Sequence, residues 1–115
     1  MRDKKSIILL YLTELSKHNF LMKSVEFGAY LKALREEKGI PQRKVAHAVD
    51  VDTSTLSKME LGERPISINM IKPWSETLES DYKDLQIKFI SEKIKTDFKE
   101  QPFLKEALQL VIDKI

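Results

Sequence analysis

Apolar positions recur along this chain at intervals of three and four, and that spacing predicts helices through most of its length. Ile8, Leu12 and Leu15 share one face between residues 4 and 17, widened by Ile7, Leu10 and Tyr11, and His18-Asn19 ends that segment. Phe27, Leu31 and Leu34 repeat the spacing from Val25 to Lys38, with Gly39 as a C-terminal stop. Pro41 is expected as the first residue of the next helix, which turns Val45, Ala46 and Val49 inward and breaks at Asp50-Val51-Asp52. A third helix, capped by Asp52 or Thr53 and closed at Gly62, faces Leu56 and Met59 inward and leaves Ser54, Thr55, Ser57 and Lys58 outside. Ser67 is read as the cap of a fourth helix carrying Ile68, Ile71, Trp74 and Leu78, which Pro73 should kink or split. Asp81 starts a long fifth with Leu85, Phe89, Ile90, Ile94 and Phe98, and Pro102 starts a last one. That last helix places Leu104, Leu108, Val111 and Ile115 in one stripe beside Phe103, Ala107 and Ile112.

The pattern gives an all-α fold in three parts: an N-terminal amphipathic helix in residues 1–24, a module in 25–80 and a helical extension in 81–115. Composition agrees, because three glycines and four prolines in 115 residues are too few for a turn-rich sheet protein, and 42% apolar content supports one small core. The absence of cysteine excludes disulfides, thiolate metal sites and thiol nucleophiles. The apolar run Ile7–Leu12 is too short to span a bilayer, so a cytoplasmic location is expected. His18 and His47 have no partner at ligand spacing and read as surface or packing residues. No phosphate loop, nucleophile motif or metal cluster stands out, so neither enzyme activity nor a cofactor is expected.

Two short helices joined by about three residues follow the helix-turn-helix plan. Ala46 suits the place where those helices approach closely, since a larger side chain would force them apart. The short hydroxyls and single lysine of the third helix suit a face that enters a DNA major groove.

From Phe27 to about Leu85 the chain closely resembles the Cro/repressor-type (XRE) helix-turn-helix domain of phage repressors and bacterial regulators. The resemblance is carried by LKALREEKGIPQ, by Ala46, by the third helix V-D-x-S-T-L-S-K-x-E and by Glu60-x-Gly62-x-Arg64-Pro65. It implies a lambda-repressor-like five-helix domain whose recognition helix, about Thr53–Leu61, reads double-stranded DNA. Gln42 matches a glutamine that bonds a phosphate and braces the recognition helix, with Arg43 and Lys44 as nearby phosphate contacts. Thr53, Ser54, Ser57 and Lys58 match positions facing bases or adjoining phosphates, with Thr55 a weaker member. Lys58 is the leading candidate for a guanine O6 or N7 contact, and Arg64 for a backbone contact. Arg35 and Glu60 match a structural ion pair tying the first helix to the end of the third. Asp50 departs from the family by standing where glycine is usual.

Charge complicates this picture. Residues 1–24 carry five basic and two acidic groups, 25–80 eight and nine, and 81–115 seven of each, so the DNA-reading module itself is at −1. The rival reading is therefore a protein-interaction or antitoxin-like module that keeps the fold and binds DNA weakly or not at all. Because one recognition helix spans few base pairs, a homodimer is expected, with Leu104, Leu108, Val111 and Ile115 as its interface. Within the resemblance the chain is a transcriptional regulator, a repressor before an activator, with a restriction-modification controller and an antitoxin as variants.

Overall fold

The computed structural model describes residues 26–115; the amphipathic helix expected at 4–17 lies outside the described residues. Six α-helices and no strand occur among them: α1 (Glu26–Glu37), α2 (Gln42–Ala48), α3 (Thr53–Glu60), α4 (Ile68–Thr77), α5 (Tyr82–Phe98) and α6 (Leu104–Lys114).

The first four helices end in the same way. After each, one residue turns into the left-handed region and two backbone N–H groups reach back to carbonyls that the helix leaves unpaired. Gly39 (φ 66°) and Gly62 (φ 78°) do this without steric cost, whereas Asp50 (φ 61°) and Glu79 (φ 54°) do it with side chains. At Asp50 the reach-back bonds are its own N–H to His47 O, 3.3 Å, and Val51 N–H to Ala46 O, 2.9 Å. The glycine usual at this point is thus replaced by a residue that adopts the same conformation under strain.

Three expectations at helix boundaries change. Pro41 is the N-cap of α2 and not its first residue, because its carbonyl already accepts the bond from Lys44 N–H, 3.1 Å. Pro73 does not split α4, which runs unbroken for 10 residues. The ring costs one bond to the carbonyl of Asn69, and Asn69 is exposed, so water can satisfy the group instead. Pro102 lies in a turn, with Leu104 N–H bonded to Gln101 O, so α6 begins at Leu104. Ser67 does occupy the N-cap of α4, but its hydroxyl makes no capping bond.

Phe27 and Leu31 of α1, Val45 of α2, Leu56 of α3, Ile71 and Trp74 of α4 with its C-cap Leu78, and Leu85 and Phe89 of α5 form one core. Phe27 meets Phe89 edge to face at 5.5 Å, joining the first and fifth helices. The core therefore continues past residue 80 into the first half of α5. Ile68, expected inside, is 44% exposed. Beyond Phe89 the chain leaves the core: Ile90 and Phe98 are exposed, and α6 buries no residue.

Candidate nucleic-acid interface

The position of α3 is fixed at both of its ends. At its start Asp52, in extended conformation, accepts the Thr55 backbone N–H at 2.6 Å and caps the helix. A hydrogen bond from the Thr55 side chain, and after it the backbone bond, hold the Asp52 carboxyl below its ordinary 3.8, with smaller help from the charges of Arg64 and Lys58. At its inner side Leu56 and Met59 enter the core, and Ala46 of α2, 3% exposed, leaves room for the two helices to close up.

At the far end of α3, Glu60 is 2% exposed and holds three helices together. The Arg35 guanidinium donates through Nε to one carboxylate oxygen at 2.7 Å and through Nη2 to the other at 3.1 Å. Its third nitrogen donates to Ile40 O at 2.9 Å, closing off the turn between α1 and α2. The Gln42 amide donates to the Glu60 carboxylate at 2.9 Å. Arg35, Gln42 and Glu60 thus form one network in which every partner lies on a different helix.

Gly28 completes the seating of α3 and was not singled out by the sequence reading. A Cβ at this position would lie 2.4 Å from the Met59 carbonyl and 2.7 Å from that of Glu60, so α1 and the end of α3 meet backbone to backbone. The signal was available, since glycine inside a helix costs roughly 0.5–1 kcal/mol relative to alanine and needs a reason.

With its inner face locked, α3 presents the remainder to solvent. Thr53, Ser54 and Lys58 are exposed, and Thr55 and Ser57 are half-buried. Arg43 and Lys44, on the first turn of α2, and Arg64, in the loop after α3, are exposed as well. No hydrogen bond or salt bridge among the described residues engages the side chains of Arg43, Lys44, Lys58 or Arg64. Their cationic heads are available to anions. His47 is exposed, and no group of His, Asp and Glu among the described residues could hold a metal ion. No helix among them is long and apolar enough to cross a membrane. The proposed interface residues behave unevenly: Leu104 and Leu108 are half-buried, while Val111 and Ile115 are 53% and 99% exposed.

Comparisons with known proteins point the same way. A helix-turn-helix family model matches residues 31–85. Among solved structures, the clp gene regulator ClgR from C. glutamicum aligns at 26% identity over 61% of this chain and 91% of its own, with a TM-score of 0.51. The restriction-modification controller protein C.AhdI from Aeromonas hydrophila aligns at 29% identity over 59% of this chain and 99% of its own, with a TM-score of 0.50. A search of curated protein sequences finds no match. Over residues 31–85, where that family model matches, a buried clamp seating a short polar helix is similar to the XRE-type helix-turn-helix module of DNA-binding transcription regulators.

Proposed function

We propose that this protein binds double-stranded DNA sequence-specifically as a homodimer, with α3 in the major groove, and regulates transcription by occluding a promoter. The observation that carries the reading is the seating of α3. A rigid internal clamp holds a helix whose outer face offers Thr53, Ser54, Ser57 and Lys58, with unpaired cations at Arg43, Lys44 and Arg64 to either side. Lys58 reads a base, guanine by preference, while Arg43, Lys44 and Arg64 grip phosphates and set the register. Gln42 adds a phosphate contact at the α2 N-terminus through whichever amide hydrogen Glu60 leaves free. The action needs no catalysis or cofactor, and it places the protein in the cytoplasm with the chromosome. The regulator reading is supported by the likeness to ClgR and C.AhdI, and C.AhdI keeps a restriction-modification controller among the specific roles.

Selection of duplexes from a random pool, followed by binding titrations at several salt concentrations, tests this. If Arg43, Lys44 and Arg64 of two copies each meet a phosphate, the logarithm of the association constant falls with log salt at a slope of about −5. Lys58→Ala relaxes preference at one base position in each half-site by roughly 1–3 kcal/mol, whereas Arg64→Ala weakens all duplexes alike. No enrichment, or a flat salt dependence, removes the reading. The rival, a protein-interaction or antitoxin-like module, draws on Asp50 and Asp52 at the start of the same helix and on the −1 charge of residues 25–80.

A further inference from the structure

Asp52 carries a negative charge onto the face that is to approach phosphates. Its side chain is exposed, immediately precedes the exposed Thr53 and Ser54, and is ionised at neutral pH. Capping explains an oxygen at this position but not the charge, because serine and asparagine cap about as well as aspartate. The Thr55 hydroxyl and backbone N–H occupy two of the roughly four acceptor sites on the carboxylate, and the others stay open. Arg64 and Lys58 lie close enough for their charges to act on it, which offsets its repulsion of a phosphate backbone.

An ionised carboxylate only accepts hydrogen bonds, and the four bases differ in what they offer it. In the major groove cytosine presents the N4 amino group as a donor, guanine presents O6 and N7 as acceptors, and thymine presents O4 as an acceptor beside its methyl group. Adenine offers a donor at N6 with an acceptor at N7 next to it. A carboxylate against cytosine therefore gains a charge-assisted bond, whereas against guanine or thymine it loses water and meets lone pairs. The N-terminal end of a helix lying in the groove is the end whose side chains reach base edges, and Asp52 stands at that end of α3. Six residues separate it from Lys58, about 9 Å along the helix, which spans no more than about three base pairs.

We propose that Asp52, besides capping α3, is a specificity-determining residue: it accepts a hydrogen bond from the N4 amino group of a cytosine within about three base pairs of the guanine read by Lys58, and it rejects guanine and thymine at that position. This rests on the assignment of α3 as the DNA-reading helix and adds a second base to what it reads. The charge lowers affinity for every duplex and returns part of that loss on one base only, so its net effect is selection. Because the carboxylate is held by Thr55, its open acceptor sites keep one direction relative to α3, as a base contact requires.

Asp52→Asn and Asp52→Ser both keep a capping oxygen, and the buried Trp74 reports in urea that each variant folds. Duplexes are selected with the full-length unsubstituted chain, and affinities are then measured for all three proteins on duplexes that differ from the selected one at a single base pair. The ratio between two such duplexes is the readout, since the general gain from removing a negative charge cancels in it. The unsubstituted chain is expected to prefer cytosine over guanine and thymine at one position of each half-site by about tenfold or more. Asp52→Asn, which turns an amide donor outward, shifts that preference to a base with an acceptor, and Asp52→Ser flattens it. Preference at the Lys58 position stays as it was. If neither variant changes any ratio, Asp52 only caps α3 and the proposal is overturned while DNA reading by α3 stands. If all duplexes weaken alike with the ratios kept, Asp52 acts by orienting Arg64, which also overturns it. If the unsubstituted chain enriches no duplex, the reading of α3 falls and the proposal with it.

Discussion

Replacing Arg35 by methionine tests the clamp that seats α3. The substitution roughly conserves volume but removes both bonds from the guanidinium to the Glu60 carboxylate, 2.7 and 3.1 Å, and the bond to Ile40 O. Glu60, 2% exposed, is then left with the Gln42 amide alone. Stranding one partner of a buried pair costs about 3–5 kcal/mol, a large part of the roughly 5–13 kcal/mol expected for some 90 residues. The readout is built in: Trp74 is the sole tryptophan and fully buried, so its emission follows global unfolding in urea. At about 1.5 kcal/mol per molar urea, the midpoint falls by about 2–3 M.

Removing both charges distinguishes a stranded ion from lost packing. The double variant Arg35→Met/Glu60→Leu buries no charge, so it recovers much of the loss, and its cost falls below the sum of the single variants by at least ~2 kcal/mol. The reasoning is refuted if Arg35→Met moves the midpoint by less than about 0.5 M, or if the two single costs simply add. A recovered double variant that has lost DNA affinity shows that the clamp sets the angle of α3 as well as its stability.

Gly28→Ala pushes a methyl into the Met59 and Glu60 carbonyls, so a loss of about 1–3 kcal/mol in urea and weaker binding to every duplex are expected. Glu79→Gly relieves a left-handed residue whose contact with Lys38 runs through its backbone carbonyl and therefore survives. A net gain of about 0.5–1 kcal/mol is expected, seen as a melting temperature about 3–6 °C higher, with a smaller gain for Asp50→Gly because aspartate tolerates this conformation better. Asp52 titrates below its ordinary 3.8, so its cap contributes fully above that pH and is lost as pH falls through the lower folded value. Asp52→Asn keeps a capping oxygen and abolishes that acid-range dependence in thermal melts. The same variant removes a negative charge beside Arg64 and Lys58, and its DNA affinity rises severalfold at low salt and less at high salt.

Helix content and the inward positions were legible because 3.6-residue periodicity is imposed by burial, and Leu31, Val45, Leu56, Trp74 and Leu85 are where it demands. The prolines were misplaced for two reasons. At Pro41 and Pro102 the fixed φ suits the residues just before a helix as well as its first turn, so the start shifts by one or two positions. At Pro73 the ring removes a donor, but whether that splits a helix depends on who else can satisfy the freed carbonyl, and at the exposed Asn69 water can. The ion pair Arg35–Glu60, 25 residues apart in sequence, came through the family resemblance and not through periodicity. Gly28 escaped because its role is a distance between two backbones, which no local pattern records. The bare faces of α5 and α6 were half legible. The stripe Leu104, Leu108, Val111, Ile115 was visible, but which of its members the chain itself covers depends on how α6 lies on α5.

The acidic balance of residues 25–80 looks like an argument against DNA until the charges are placed. Glu60 is neutralised internally by Arg35, and Glu36 lies 4.0 Å from Lys32 on α1. Glu76 and Glu79 sit at the end of α4, on a different helix from the reading face. Of the nine acids, those beside α3 are Asp50, Asp52 and Glu63, and one oxygen of Asp52 is committed to the Thr55 amide. Four cations that make no salt bridge or hydrogen bond through their side chains, Arg43, Lys44, Lys58 and Arg64, lie on α2, α3 and the loop that follows, the last two sharing the field of Asp52. A phosphate backbone responds to the field at the surface it meets, which falls off within about 8–10 Å at physiological salt, and not to the net charge of a module. The sign of the segment and the sign of its reading face are therefore separate quantities, and only the second bears on whether α3 meets DNA.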